Sequence, residues 1–573
     1  MHRQRGSRQG RRCRRAERQP EAPRHAVVHV VPGRRAIGSG VGPEGRAARR
    51  SRPGCGVRLA RARLRAARGR RRRRARLGRA GGARVRRLWT TATGRTALAC
   101  GLVGILVALA WSVIIPPLQV PDEPLHFAYV QELATTATPA GSLDEQPLSS
   151  ELSAAMSALG FSRTIGNATG RGPWSGLEAH LLRQTVGEHR SASDGGGRTG
   201  VSPQPPAYYL LGAVPYLAAD AAGGDVLDRL QAVRALSALL AGLAVFFIFL
   251  FIAELLPGRR VAAATGALAV AFQPMVGFLG GGVSADNLMS AAAAALFFGL
   301  ARAFRRGLSL RLALGIGAAI GGGLVSKLTF VGIVPGAVLG LLILIARLPR
   351  GERLRLAAAA AGPAVVPLLV YVGLGATVWD HGLNDPGVAA RAGGGVAAGH
   401  GPTMSGRIAY WLQSYLPRPW FVDDLIPGRV AAYNIWFKSW VGNFGWLDYR
   451  FPSWVTGAAI GVWLVLVALV GRAVVVGRAA LSRRRAELLV YAVMVLGLTV
   501  VIAKPAYEYR LQTGFAFEQL RYLFPLLALY GAVVALAVRG AGRWGREVAV
   551  AIVGLAVAHT IFAAVLTIGR YYA

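Results

Sequence analysis

The chain has 573 residues, of which 53% are hydrophobic and only 16% charged, with a mean hydropathy of +0.40. A soluble protein is about a quarter charged, so this composition excludes an ordinary water-soluble domain. Repeated apolar runs of about 20 residues point instead to an all-α polytopic membrane protein. The net charge of +40 is unevenly spread, because residues 1–90 hold 30 arginines and 3 glutamates and the remainder is only mildly basic.

Residues 1–90 are Arg, Gly, Ala and Pro with almost no apolar period, densest in RGRRRRRARLGR at 68–79. Such a stretch buries too little apolar surface to fold. It reads as a disordered cytoplasmic tail, or as an over-extended translation start with the true start near Val85–Thr90. A tail that binds nucleic acid or anionic lipid is a further alternative, but no nucleic-acid partner is expected for the protein as a whole. The basic region is far too long for a signal peptide. The three cysteines, Cys13, Cys55 and Cys100, show neither metal spacing nor a disulfide framework.

Residues 91–573 form the expected transmembrane domain, whose first span is placed at about Thr96–Ile115. The arginines before it put its N-terminus in the cytoplasm. It ends at Pro116-Pro117 and opens into PLQVPDEPLHFAY, where Asp122 and Glu123 sit between Pro121 and Pro124 and are followed by His126 and Tyr129. Proline fixes φ and stiffens its neighbours, so this acidic pair is held in place. The structural alternative is a solvated turn that breaks a helix.

A long external segment follows at 117–232. Its last piece, SPQPPAYYLLGAVPYLAAD (202–220), is too short and proline-rich for a span and suits an interfacial or re-entrant helix. Further spans are expected at about 233–256, 261–280, 284–303, 308–325, 328–346, 356–378, 455–476, 486–503, 521–538 and 547–568, about eleven in all. The turns 256–260, 302–311, 347–355, 471–485 and 538–547 each carry two or more arginines. They all fall on the cytoplasmic side only if 202–220 does not cross. A second external loop at 379–454 is rich in Trp and Tyr, which favour the membrane interface or offer sugar-stacking faces. A third turn, 503–525, carries Lys504, Arg510 and Arg521.

Ionisable residues at span ends on one face are functional candidates. On the outer side these are Asp122, Glu123, Asp286, Lys327, Lys504, Arg510 and Arg521. Asp286 could also be a helix cap, and Lys327 a snorkelling surface lysine. Acids for proton abstraction or metal, with bases for a lipid-linked phosphate, make a set suited to glycosyl transfer from a polyprenyl-phosphate sugar.

The segments PPLQVPDEPLHFAYVQ (116–131), SPQPPAYYLLGAVPYL (202–217), RALSALLAGLAVFFIFLFIAELLP (234–257), FQPMVGFLGGGVSADNLM (272–289), SKLTF (326–330), GNFGWLDYRFP (442–452) and EQLRYLFPLL (518–527) come in an order that resembles the GT-C membrane glycosyltransferases. More narrowly, the chain is similar to the DUF2142 family of predicted bacterial membrane proteins. The resemblance implies a GT-C-like fold with large first and late external loops. It implies that Asp122 and Glu123 act as catalytic base or metal partner, that Asp286 joins them, and that Pro205, Pro206, Tyr208 and Tyr209 lie on a juxtamembrane helix over the site. Two departures from the pattern are expected: the first 90 residues match nothing in it, and no large soluble C-terminal domain follows the last span, although several GT-C families have one.

The resulting expectation is a hexosyl- or pentosyltransferase at the external face of a bacterial inner membrane. It moves a sugar from a polyprenyl-phosphate donor to a glycan, lipid or protein acceptor. Asp122, Glu123 and Asp286 are the catalytic candidates. His126, Tyr208, Tyr209, Lys327, Lys504, Arg510 and Arg521 are the substrate-binding candidates. A divalent metal, Mg or Mn, is a candidate cofactor at Asp122 and Glu123. The rival classes are a transporter or flippase of lipid-linked saccharides and a glycan polymerase or ligase.

Overall fold

Thr91 starts the first helix, α1 (Ala92–Ile114), by accepting from the Gly94 amide at 3.1 Å, and Pro116-Pro117 prevents its continuation. This computed structural model describes residues 91–572 apart from 143, 171–174, 380–401, 429 and 517. The tail expected over 1–90, and most of the WDHGLNDPG piece of the late loop, lie outside the described residues.

The long first loop is itself helical. It contains α2 (Glu123–Thr136), α3 (Ser150–Ala158), α4 (Gly176–Gly187) and α5 (Ala207–Ala221). Arg229 ties these together. Its guanidinium pairs with Glu151, donates to the Tyr216 hydroxyl at 2.9 Å and meets Asp220 at 3.1 Å. Helix α5 turns Tyr208, Tyr209 and Tyr216 inward and leaves Leu210, Leu211, Val214 and Leu217 exposed. At 15 residues it is too short to cross a bilayer, and its bare apolar stripe is what an interfacial helix presents.

The membrane helices follow. α6 (Val226–Leu255) starts at a capping box made by Asp225 and Asp228. α7 (Arg260–Ala271) and α8 (Pro274–Gly280) are two halves of one expected span, bent by 60° where Gln273 caps the second half. α9 (Asp286–Arg306) is long and mostly buried, whereas α10 (Leu310–Leu324) has only 15 residues. A 3₁₀ turn (Leu328–Ile333) leads into α11 (Val334–Ala346), followed by α12 (Arg350–Thr377), α13 (Met404–Tyr415), α14 (Ser453–Ser482) and α15 (Arg485–Thr513). A second 3₁₀ turn (Leu520–Leu526) leads into α16 (Leu527–Gly540), and α17 (Gly545–Tyr571) ends the described chain. Among the described residues, nine helical segments are long and apolar enough to cross a membrane, and ten if the bent α7–α8 pair counts as one.

Small residues set the packing distances. A Cβ on Gly242 of α6 would come within 2.6 Å of the Gly101 carbonyl of α1, and one on Gly266 of α7 within 2.2 Å of the Gly531 carbonyl of α16. Without a hydrophobic driving force in lipid, such backbone approach supplies the van der Waals contact that holds helices together. In the core Phe251, Phe297 and Tyr491 pack ring against ring. The late loop adds a two-stranded hairpin, β1 (Asn443–Phe444) and β2 (Tyr449–Arg450), whose Phe444 stacks on Trp111 of α1 at 5.8 Å. Most aromatics of this loop are therefore packing residues. Trp436 is buried with its indole N–H on the Ser414 carbonyl, while Trp420 is 95% exposed.

Candidate active site

Four breaks in the helical pattern meet at one end of the bundle: the loop after α1, the turn before α9, the extended residue before the first 3₁₀ turn, and the start of the second. They carry Asp122, Asp286, Lys327 and Arg521 respectively. Each break is written in the sequence, as PPLQVPDEP, GGGVSAD, SKL and EQLRYLFP.

Asp122 is the residue before α2 and takes a left-handed conformation, φ 61° and ψ 9°, with no helix-capping bond from its side chain. Leu118, four residues earlier, is also left-handed at φ 67°. Non-glycine residues seldom adopt this region, although Asp tolerates it better than most. The carboxylate turns away from the helix and pairs with Nη2 of Arg521, whose Nη1 donates to the Pro121 carbonyl at 3.2 Å. The side chain of Asp122 stays 30% exposed while that of Arg521 is almost fully buried. Burial pushes the Asp122 carboxyl upward, but the Arg521 charge and hydrogen bond outweigh it and hold the group below the usual carboxylate range.

Asp286 opens α9. Its Oδ2 accepts from Lys327 Nζ at 2.7 Å and from the Ser284 hydroxyl at 3.0 Å, and lies 3.9 Å from Arg521 Nε. Its Oδ1 and the Nε of Arg521 are buried without a hydrogen-bond partner among the described residues. Lys327 is extended and buried. Burial lowers the affinity of its amine for a proton, and the Arg521 charge adds to that, while Asp286 opposes it. Both Lys327 Nζ and the Arg521 guanidinium lie over the Tyr522 ring, at 5.7 and 5.6 Å.

His126, on the first turn of α2, places Nδ1 2.9 Å from the Tyr209 hydroxyl. Burial, then the Lys327 charge, depress its pKa to about 3, so it is a neutral imidazole at physiological pH. Tyr209 stacks on Tyr129 at 3.9 Å. Tyr208 meets the Ser237 hydroxyl at 2.7 Å and accepts from the Ser284 amide at 3.0 Å. Tyr208 thus ties α5 to α6 and to the turn before Asp286, and Tyr209 ties α5 to α2.

Glu123, adjacent to Asp122, does something else. Its carboxylate is fully buried and receives Nε and Nη2 of Arg234 at 2.8 and 2.7 Å, plus the Val283 amide at 2.9 Å. Arg234 also donates to the carbonyls of Ser112, Ile115 and Pro116 at 2.8 to 3.0 Å. The pair fastens the end of α1, the PPLQVPDE loop and the turn before α9 to α6. Lys504 is exposed on α15. Arg510 lies beside the Tyr410 hydroxyl, which donates to Glu518. Neither contacts Asp122 or Asp286. Helix α15 runs on to Thr513, so the expected external turn from 503 is mostly helix.

A cavity of about 390 Å³ adjoins the cluster. Pro121 and Arg521 form one wall, and Asn434, Asn443, Arg450 and Gln519 line much of the rest. A divalent metal does not fit the residues present. Each carboxylate of the cluster already faces a cation, and among the described residues no three His, Cys, Asp or Glu side chains gather as a ligand set. No step below is routed through a metal.

Residues 105–530 match the family described as predicted membrane protein (DUF2142). The chain belongs to this family. No curated protein matches the DUF2142 chain. Among solved structures it is similar to the Archaeoglobus fulgidus oligosaccharyltransferase in its complex with Zn and sulfate, at 12% identity and a TM-score of 0.37, covering 82% of this chain and 53% of that one. It is also similar to that enzyme tethered by a disulfide to an acceptor peptide containing the NVT sequon, at 12% identity and a TM-score of 0.38, covering 83% and 55%. The DUF2142 chain thus spans about half the length of the archaeal enzyme.

Sequence reasoning passed over Arg234. Its signal was available, since it is an arginine followed by two dozen residues with a single charge, Glu254. A charge at the mouth of an apolar helix is costly unless paired.

Proposed function

We propose that this membrane protein is a glycosyltransferase that uses a polyprenyl-phosphate sugar at the external face of a bacterial inner membrane. The observation that carries this reading is Arg521, which holds Asp122, lies beside the Asp286–Lys327 pair and forms a wall of the 390 Å³ cavity. Its chemistry suits a displacement at an anomeric carbon. The acceptor hydroxyl loses its proton to Asp122 as its oxygen bonds to C1 of the sugar. The bond from C1 to the phosphate oxygen breaks, and the electron pair leaves with the polyprenyl phosphate. Lys327 and Arg521 then face the charge that grows on that oxygen, an interaction worth about 10²–10³ in rate per well-placed donor.

The low pKa of Asp122 fits a resting state. With Arg521 against it, the carboxylate is a weak base. A donor phosphate that draws Arg521 towards itself weakens that contact, so the proton affinity of Asp122 rises as the donor binds. Neutral His126 and the Tyr209 hydroxyl form the polar floor beneath it. Asp286 holds Lys327 charged and in position. Sidedness is supported by α9, which begins at Asp286 and ends in Arg302, Arg305 and Arg306. Arginine-rich turns favour the cytoplasm, which favours the acid end outside. The exposed stripe on α5 would face lipid beside the donor chain.

The test uses membranes with a polyprenyl-phosphate sugar labelled in the sugar. The expected result is release of unlabelled polyprenyl phosphate with label passing to an acceptor, and loss of both with Asp122→Asn. Movement of intact donor between leaflets with no release would establish the flippase class instead. Asp122→Asn protein that is present at normal level and turns over normally would overturn the assignment of the base.

A further inference from the structure

We propose that the opposite end of these helices holds a second site, which binds one phosphate group. A cavity of about 120 Å³ lies there between the ends of α9, α11 and α14 and the start of α15. That volume admits a group the size of a phosphate. Its walls carry Phe304, Arg305, Arg347, Arg483, Arg484 and Glu487.

Three chain segments bring their arginines to this one space. Arg305 is in the last turn of α9, Arg347 ends α11, and Arg483 and Arg484 form the joint between α14 and α15. The nearby carboxylates are already engaged. Glu254 receives Arg302, Arg305 and Arg306 at 2.7 to 2.8 Å, and Glu487 accepts from the Tyr491 hydroxyl at 2.9 Å. Among the described residues neither Arg347 nor Arg483 has a carboxylate partner. The Arg347 guanidinium is held 5.7 Å from the Phe304 ring centroid, which orients it. The start of α15 also faces the cavity through Ala486, and no side chain caps it. Uncapped amides at a helix start, with guanidinium groups around them, are an anion receptor.

A bias of arginines towards one side of the membrane explains their presence in these turns. It does not explain why four of them, from three chain segments, line one pocket in which Glu487 is the single acidic lining residue. The ligand is a phosphate, either the headgroup of an anionic lipid or a soluble phosphate, because basic pockets between membrane helices suit both. The site stands about 29 Å from Asp286 along α9, at roughly 1.5 Å per residue, and does not depend on the proposed transferase activity.

The experiment takes the full chain in detergent, with native mass spectrometry reading bound phosphatidylglycerol and a thermal melt reading inorganic phosphate. The unsubstituted protein should retain phosphatidylglycerol in preference to phosphatidylcholine, or be stabilised by millimolar phosphate. The first result identifies the lipid source and the second the soluble one. Arg347→Gln with Arg483→Gln should weaken either response at least tenfold without lowering the melting temperature of the ligand-free protein. Arg543→Gln removes an exposed arginine from a neighbouring turn that does not line the cavity, and should leave the response unchanged. The proposal fails if neither probe binds, or if Arg543→Gln weakens binding as much as the double variant.

Discussion

Asp122 and Glu123 are neighbours in sequence, carry the same charge and are both held by an arginine, yet their surroundings differ. Glu123 is fully buried, and its two oxygens are taken by Arg234 and by the Val283 amide. Asp122 is partly exposed, sits in a left-handed turn and relies on Arg521, which itself borders a cavity. A saturated ion pair has nothing left to offer a substrate, whereas a pair with one open side can exchange its partner. The contrast separates the carboxylate that builds the loop from the one that can work in it.

The strongest way to break this contrast is Arg234→Met. It leaves Glu123 charged and buried without a counter-charge, and a broken buried pair costs about 3–5 kcal/mol. The expected outcome is a large loss of folded protein, read by detergent-solubilised thermal melts. Pairing it with Glu123→Leu should recover most of that loss, since an apolar replacement of both partners is often neutral. Next comes Asp122→Asn, which keeps the left-handed backbone that Asn also tolerates. Donor turnover should fall about 10²–10⁴-fold, the usual worth of a positioned base, with the melting temperature nearly unchanged. A collapse in stability equal to that of Arg234→Met would erase the distinction.

Arg521→Lys has a smaller expected effect. Lysine keeps the charge but lacks the planar fork that serves both Asp122 and the Pro121 carbonyl, so turnover should drop by about tenfold. Smallest is the acid response of His126. Its pKa falls from 6.5 to about 3 on folding, so between those values the unfolded chain binds a proton that the folded one does not. Stability therefore declines as pH falls below 6.5. Melts between pH 7 and 5 should show this slope in the unsubstituted protein and a flatter one in His126→Gln.

Much of this was legible from residues alone. Apolar runs marked the helices, and charges at helix ends marked Asp122, Asp286, Lys327 and Arg521, because unpaired charge near lipid is too costly to keep idle. The Pro-rich stretch 202–220 announced a helix too short to span. Pairing was not legible. Nothing in PDEP says that Asp122 turns to Arg521, 399 residues away, while Glu123 turns to Arg234. The extension of α15 past Pro505 hid the fact that Lys504 and Arg510 ride on a helix face rather than a turn. The bend within 261–280 was equally hidden, because its two halves are both apolar and only Gln273-Pro274 marks the joint.

The shortness of Leu310–Leu324 bears on the bilayer itself. Fifteen residues rise about 22 Å, against a hydrocarbon core of about 30 Å. For α10 to cross, unlike the equally short α5, the lipid beside it must thin or flanking residues must reach further. Lys327 follows three residues after this helix, and its amide is bonded to the Gly323 carbonyl. A leaflet that dips there would bring its phosphates down to the level of the amine. Reconstitution in lipids with shorter acyl chains should therefore favour donor capture, and longer chains should oppose it.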